Sequence, residues 1–263
     1  GPSPSERGEK IFFAKYPVTN LQYARFLGSD DYKDESLWES LAVYDHEGKI
    51  LIPLGRQALE WFRANGGPAR RPNNWDDARF GAARRLFPVG SVTWYEAAAY
   101  CAWLTRRWRD LPELAPLQSL ITEHFSLTFR LPLESEWASA AGGAEGDRYP
   151  WQEEPQTANE ADIRLYANTA ESDLNGTSPV FMYPAGRSTR GAMDMAGNVW
   201  DWQANRYREG DEWIAQRGGA WSYDRGLARV AVRRYGARPH GWSAVFGLRV
   251  VGAAAPVSPS SVS

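Results

Sequence analysis

The sequence predicts one α+β domain that is rich in loops, with few helices and short antiparallel strands. Helical patterns are confined to the first 141 residues, and after Tyr149 short segments are interrupted by Gly, Pro, Asn and Trp. The 263 residues include 13 Trp, 24 Gly and 17 Pro. Broad aromatic rings, rather than long helices, are therefore expected to fill much of the core.

Three helices are predicted from capping boxes and apolar spacing. Thr19 with Gln22 marks the start of the first helix, and Thr93 with Glu96 marks the start of the second. A third, short helix is predicted near 133–141. One face of the second helix carries an apolar stripe: Ala97, Tyr100, Cys101, Leu104 and Trp108. Segments 28–87 and 105–128 are interpreted as insertions with one further helix each, near 55–64 and 112–124.

The second half of the chain predicts strands. Residues 229–235 alternate between apolar and polar side chains, as a half-buried strand does, and residues 246–251 predict a closing strand. Residues 253–263 are small, polar and proline-containing, so we expect a disordered tail there. The N-terminal residues 1–9 are also expected to be disordered. The predicted domain therefore spans residues 10–252.

Several functions are disfavoured by composition. A single cysteine excludes an internal disulfide framework, and three widely separated histidines argue against a sequence-local zinc or iron site. The net charge of −2 and the lack of a basic helix make nucleic acid an unlikely partner. No run approaches 18 apolar residues and no signal peptide is visible, so no membrane association is expected and the default location is the cytoplasm.

Eight ordered blocks of sequence carry a family resemblance. They are PVTNLQYARFL (17–27), PVGSVTWYEAAAYCAWL (88–104), RLPLESEWASAAGG (130–143), YPW (149–151), YAN (166–168), GNVWDW (197–202), RGGAW (217–221) and FGLRV (246–250). In this order they resemble the formylglycine-generating-enzyme (sulfatase-modifying factor) superfamily. The resemblance implies an elaborated C-type lectin fold. Within it, Arg130 and Glu136 are expected to bridge the short third helix to the loops.

The enzymatic activity of that family is not expected here. The resemblance implies a copper-thiolate mechanism with two cysteines after the RGG block, and the matching positions are Tyr223 and Ala228, which cannot supply thiolates. Cys101 lies on the apolar stripe and is expected to be a buried hydrophobe. The related iron-dependent sulfoxide synthases need a histidine-rich helical domain, which this chain lacks. We therefore expect neither copper nor iron, and no catalysis.

The C-terminal segment 217–251 contains seven arginines and one acidic residue. In its layout, residues that hold the fold alternate with short stretches of variable residues. This layout resembles the variable proteins of diversity-generating retroelements. That resemblance implies an exposed face for a protein or other macromolecular ligand, supported from behind by Trp221 and Arg229. The predicted ligand contacts are Ser222, Tyr223, Asp224, Arg234, Tyr235, Gly236, Ala237, Arg238, His240, Gly241, Trp242, Ser243, Ala244 and Val245. Rigid aromatic rings mixed with small polar residues are typical of a paratope.

Two other functions stay open: an enzyme paralogue without the cysteines, and an interaction module of a larger complex. The resemblance also implies structural calcium. One site would use the carboxylates of Asp194 and Asp201 with the carbonyl groups of Gly197 and Val199, and such hard oxygen ligands suit Ca²⁺. A second site near Asn168, Thr169 and Asp173 is out of register by about one residue.

Overall fold

The computed structural model describes residues 9–143, 148–153, 160–234 and 236–257. The expected disorder at residues 1–8 and 258–263, and the predicted ligand contact Tyr235, lie outside these described residues.

The three predicted main helices are present. Within the described residues the α-helices are α1 (Asn20–Leu27), α2 (Glu35–Glu39), α3 (Gly55–Ala64), α4 (Trp94–Arg107), α5 (Ala115–Leu120) and α6 (Glu134–Ala140). Both capping boxes form, with the Thr19 and Thr93 hydroxyl groups accepting from the backbone N–H of Gln22 and Glu96. The expected helix in 112–124 is reduced to α5, because residues 112–114 form a 3-10 turn.

Two sheets organise the molecule. The first contains β1 (Lys10–Phe13), β4 (Phe125–Arg130) and β8 (Val251–Pro256), and the second contains β2 (Ala42–Tyr44), β3 (Ile50–Pro53), β5 (Trp200–Arg206), β6 (Ile214–Arg217) and β7 (Phe246–Gly247). The first sheet has the antiparallel order β1-β8-β4. The second has the order β3-β2-β5-β6, with β7 also paired to β5. The β2–β5 and β5–β7 pairs are parallel, so this sheet is mixed.

The disordered tail predicted from residue 253 is wrong for residues 253–256. These residues belong to β8, the central strand of the first sheet, where Ala254 pairs with Lys10 on one side and Leu127 on the other. Small side chains suit this position, because the Phe129 ring lies against Gly252 and Ala254 is fully buried. Composition alone cannot distinguish such a small-residue core strand from a flexible tail.

The strand predicted at 229–235 is also wrong for residues 229–233, whereas Arg234 forms an isolated antiparallel bridge with Gln216 and Tyr235 lies outside the described residues. Residues 229–232 form a bend and turns, and Val230 is buried against Trp137 and Met195. The Val230 N–H donates to the Arg148 carbonyl oxygen at 2.9 Å rather than to a neighbouring strand. The predicted closing strand at 246–251 divides into β7 and the start of β8, because the chain between them bonds to residues 14–18.

The main core is built on α4 and filled with rings. All five residues of its predicted apolar stripe are buried, and Cys101 is only 2% exposed. Trp94, Trp200 and Trp202 are fully buried in the same core. No helix of the described residues has both the length and the apolar character needed to cross a membrane.

Candidate functional site

Residues 222–245, here called the C-terminal face, are fastened to the sheet by backbone hydrogen bonds. The Gln216 N–H donates to the Arg234 carbonyl at 3.1 Å, and the Arg234 N–H donates back at 3.2 Å. Two residues before Gln216 in β6, the Ile214 N–H donates to the Ala237 carbonyl at 3.0 Å. The segment around 234–237 is therefore held beside β6.

Two more bonds fix the rest of the C-terminal face. The Trp94 N–H, in the first turn of α4, donates to the Pro239 carbonyl at 3.0 Å. In β5, the Trp200 N–H donates to the Val245 carbonyl at 2.8 Å. The chain between Pro239 and Val245 is short, so its side chains project from a backbone that the core holds in place.

Five of the predicted ligand contacts have exposed side chains: Ser222, Asp224, Arg238, His240 and Trp242. Trp242 is 48% exposed although it is a large apolar ring. Its indole N–H donates to the Asn73 side-chain oxygen at 3.3 Å, and Arg70 donates to the same oxygen at 2.8 Å. The ring is therefore oriented by the 28–87 insertion, a support that sequence analysis missed because Asn73 is 169 positions away.

Two predicted contacts are in the interior, which corrects the prediction. Val245 is only 5% exposed. Gly236 is buried, and a Cβ at this position would lie 2.6 Å from the Ile214 carbonyl oxygen. Neither offers a side chain to a ligand. The remaining small residues are half-buried: Ala237, Gly241, Ser243 and Ala244.

Tyr223 and Arg234 form an aromatic cluster with two core rings. The Tyr223 ring meets Trp200 edge-on, with the centroids 5.8 Å apart. The Arg234 guanidinium carbon lies 4.8 Å from the Tyr223 centroid, 5.4 Å from Trp200 and 5.9 Å from Phe246. Both predicted contacts are half-buried rather than freely exposed.

The two residues expected behind the C-terminal face contact other aromatic rings. Trp221 stacks on Phe80 with 5.7 Å between the centroids, which joins the C-terminal segment to the 28–87 insertion. The Arg229 guanidinium lies 4.8 Å from the Tyr149 centroid.

A buried carboxylate on α6 balances two arginines of the C-terminal segment. Glu134 Oε1 accepts from Arg217 Nε and from Arg233 Nε, each at 2.9 Å, and Glu134 Oε2 accepts from Arg233 Nη2 at 2.7 Å. Burial raises the pKa of Glu134, but the two arginines outweigh burial and hold the pKa below its usual value. Next to it, Arg130 makes the expected two-pronged pair with Glu136 at 2.6 and 2.7 Å.

The first predicted calcium site lies beside one guanidinium, which meets the Asp201 carboxylate and the Asp194 backbone carbonyl, while Asp194 Oδ1 accepts from Asn198 Nδ2 at 3.2 Å. Asp201 Oδ2 accepts from Arg249 Nε at 3.1 Å, and Arg249 Nη2 donates to the Asp194 carbonyl at 3.2 Å. Asp194 Oδ2 and Asp201 Oδ1 are buried without a hydrogen-bond partner. Burial raises the pKa of Asp194 to about 7, although Arg249 opposes the shift. Two unbonded buried carboxylate oxygens fit a further cation.

At the second predicted calcium site, side-chain hydrogen bonds already hold Asn168. Its Oδ1 accepts from the Ser172 hydroxyl at 2.7 Å, and its Nδ2 donates to the Gly176 carbonyl at 2.9 Å. Asp173 Oδ1 instead accepts from Asn175 Nδ2 at 3.2 Å. The Asp173 carboxylate is therefore bonded to Asn175, and the second calcium site stays a prediction.

Histidine, cysteine and carboxylate side chains do not cluster in the described residues as they do in a metal site with three or more such ligands. No group of three or more His, Cys, Asp and Glu side chains that could hold a metal ion occurs in them. Burial raises the pKa of the Cys101 thiol, so this cysteine stays protonated. Ala228, at the second expected cysteine position, is 1% exposed.

Cavities in the described residues also lie elsewhere. One of about 800 Å³ is lined mainly by residues of β1, α6 and the 190–192 segment. Two smaller ones lie against α4. One, of about 320 Å³, is lined mainly by residues of β2, α4 and β4, and the other, of about 210 Å³, by residues of β1, α4 and the 111–117 segment. Neither lining includes a residue of the C-terminal face.

Comparison with known proteins decides the family. The sulfatase-modifying factor enzyme 1-like domain matches residues 2–254, which is nearly the whole chain. The chain belongs to this family. The described architecture agrees with the predicted C-type lectin fold of the formylglycine-generating-enzyme type.

Relatives of this formylglycine-generating-enzyme-like chain differ in activity. Inactive C-alpha-formylglycine-generating enzyme 2 of Bos taurus is 29% identical over 219 residues, covering 78% of this chain and 64% of that protein. Hercynine oxygenase of Mycobacterium tuberculosis is 28% identical over 242 residues, covering 84% and 48%. The chain thus spans less than two thirds of either relative.

Among solved structures, Treponema denticola variable protein 1 shares the fold. Its TM-score is 0.51 at 19% identity, covering 74% of this chain and 80% of that protein. At this identity the likeness establishes the fold alone.

Proposed function

We propose that this chain is a non-catalytic binding protein that presents a variable C-terminal face to a macromolecular ligand, as a product of a diversity-generating retroelement. One observation carries the proposal. The backbone at residues 234, 237, 239 and 245 is bonded to β6, α4 and β5, whereas Arg238, His240 and Trp242 are exposed. Side chains there can change without altering the bonds that hold the fold. Preorganised backbone and exposed aromatic groups favour binding.

The proposed lack of catalysis rests on two positions. Tyr223 and Ala228 stand where the family register places the thiolates of the enzyme. Tyr223 packs its ring against Trp200, and Ala228 lies within 3.2 Å of a Cβ built on Gly219. Both sites are filled by side chains that pack and cannot bind copper as thiolates do.

Natural sequence variation tests this function. Genes from related isolates should differ chiefly at exposed positions of the C-terminal face, at adenines copied from a nearby, nearly identical template repeat. Gly236 and Val245, which are buried, should be invariant and serve as internal controls. Equal variation across the chain, or an invariant C-terminal face, would contradict the proposal.

A stability measurement checks the separation of scaffold from surface. In a surface set of single variants, replacing Ser222, Arg238, His240 or Trp242 by alanine should change the free energy of unfolding by less than ~0.5 kcal/mol each, since exposed substitutions usually stay within that range. The single control Val245→Ala removes two buried methyl groups and should cost about 1–3 kcal/mol. A larger loss from the surface set than from the control would mean that these side chains hold the fold.

Calcium is proposed at the first of the two predicted sites. Asp194, Asp201 and the carbonyl groups of Gly197 and Val199 would hold it, and the ion would supply positive charge for the unbonded carboxylate oxygens. Because a ligand of the native state raises stability, adding CaCl₂ to chelator-treated protein should raise the melting temperature. The response should be weaker in Asp194→Asn and unchanged in Asp76→Asn, a control at an exposed carboxylate. An unchanged wild-type melting temperature would refute the site.

A further inference from the structure

Arginines of the C-terminal segment are mostly paired with acidic side chains. Five of the seven arginines between 217 and 251 have a carboxylate oxygen within 4.0 Å: Arg217, Arg225, Arg233, Arg238 and Arg249. Arg234 differs. Among the described residues, no side-chain hydrogen bond or ion pair involves its guanidinium, and its Nη1 is buried without a partner. A cation in this state lacks part of the hydration that it would have in water.

Aromatic faces replace only part of that hydration. Tyr223, Trp200 and Phe246 surround the Arg234 guanidinium carbon at 4.8 to 5.9 Å from their centroids. Such contacts attract a cation but accept no strong hydrogen bond from its N–H groups. The side chain as a whole is half-buried, so a group arriving from solvent can reach it.

Neighbouring polar groups are also unbonded. The Gln216 side chain is fully buried and neither of its amide atoms has a partner, although its backbone bonds twice to Arg234. The indole N–H of Trp200, under the guanidinium, is likewise buried without an acceptor. At the base of the C-terminal face, unbonded donors on Arg234, Trp200 and Gln216 therefore outnumber the one unbonded acceptor of these three side chains, Gln216 Oε1.

We propose that Arg234 binds a carboxylate of the macromolecular ligand, an inference that rests on the proposed binding function. A carboxylate is a planar group of two acceptor oxygens that matches the guanidinium fork. Its flat shape also suits a space bounded by aromatic rings. The ligand class is therefore a protein with an acidic side chain or terminal carboxylate at the centre of its contact surface, where desolvated charges contribute most.

Arginine-selective NMR tests this binding with a defined probe. Protein labelled with ¹⁵N at arginine Nε is titrated with sodium acetate, with sodium chloride at equal ionic strength as the reference. One Nε signal should move and saturate with acetate, and that signal should be missing in R234K. R238K, which alters an exposed arginine already paired with Glu212, should keep the moving signal.

Three results would overturn the inference: no acetate response beyond that of chloride, a response that R238K removes, or a larger saturating response to inorganic phosphate than to acetate. A larger response to phosphate would mean that the site prefers a tetrahedral anion to a planar carboxylate. If R234K does not fold, R234Q supplies the assignment, and the remaining arginine signals report whether either variant is native. Failure of the wider function looks different, since an invariant C-terminal face among isolates would leave the acetate response of Arg234 intact.

Discussion

Glu134 illustrates how much a single buried residue holds together in this chain. Its carboxylate joins α6 to β6 and to the turn at Arg233, and the Asn205 side chain donates to it at 3.2 Å. The Glu134 side chain is 9% exposed and that of Arg217 is 7% exposed. Removing the negative charge would leave Arg217 buried without its counterion.

Glu134→Gln should therefore destabilise the protein by about 3–5 kcal/mol near pH 7, the range for breaking a buried pair. The pKa of Glu134 is lowered in the folded state, so its stabilisation is present above the unfolded value of 4.5 and is lost as pH falls through the folded value. The difference between variant and wild type should shrink below pH 4.5. Urea unfolding across this pH range measures it.

Glu212→Gln is the matched control, because Glu212 pairs with Arg238 at 3.1 Å but is 68% exposed. An exposed pair contributes about 0–1 kcal/mol. A Glu134→Gln effect as small as that of the control, or one that does not change with pH, would contradict the role given to Glu134.

Residue spacing explains which contacts could be predicted. Arg130 and Glu136 are six positions apart in one block, so their pairing followed from local geometry. Glu134 meets Arg217 and Arg233 across 83 and 99 positions, and only the folded chain brings them together. Arg234 was predicted on the C-terminal face from its position, but its burial among three rings depends on β5 and β7.

At the scale of elements, α4 shows local and tertiary signals in agreement. Its capping box, its apolar stripe and its burial all follow from residues 93–108. The Thr93 hydroxyl accepts from the Glu96 backbone at 3.2 Å and donates to the Glu96 carboxylate at 2.9 Å. The Glu96 carboxylate also accepts a hydrogen bond from Arg70 Nε at 2.9 Å. The capping box of α4 is therefore bonded to the 28–87 insertion.

Thr93→Ala should cost about 1–2 kcal/mol of unfolding free energy, since it removes a cap whose partners are buried. Thr93→Ser retains the hydroxyl group and should lose less. Thermal or denaturant unfolding of both variants measures the difference. Equal losses from Ala and Ser would mean that the Thr93 methyl group, rather than its hydrogen bonds, stabilises the start of α4.

β8 shows where local signals fail. Its sequence of Gly, Ala and Pro has low strand propensity, and its position is fixed by β1 and β4, which come from distant parts of the chain. The same limit explains residues 229–235, where alternation is real but the buried side chain of Val230 belongs to a turn.

Deleting residues 251–263 should abolish cooperative folding, because it removes the middle strand and leaves β1 and β4 each without a partner. Circular dichroism and a thermal melt would show the loss. Deleting only residues 258–263 keeps β8 and should leave the melting temperature unchanged. A native melt for the longer deletion would mean that the first sheet is dispensable.

For the whole molecule, the decisive question is whether the family scaffold still catalyses oxidation. The scaffold is intact: the Gly218-Gly219 turn has φ values of 104° and 78°, and Asp201 is held by Trp137 and Arg249. In the proposed register, Tyr223 and Ala228 stand at the positions of the two thiolates. Similarity to both an inactive paralogue and an oxygenase makes a direct assay necessary.

With copper and a Cys-x-Pro-x-Arg peptide, oxygen consumption should remain at the rate of a buffer control, because a phenol and a methyl group cannot replace a pair of thiolates. Cys101→Ala should behave identically, since burial raises the pKa of the Cys101 thiol and the residue is only 2% exposed. An oxygen electrode and mass spectrometry of the peptide give independent readouts. Turnover above the buffer control that survives Cys101→Ala would show catalysis without thiolates and would end the binding-protein proposal.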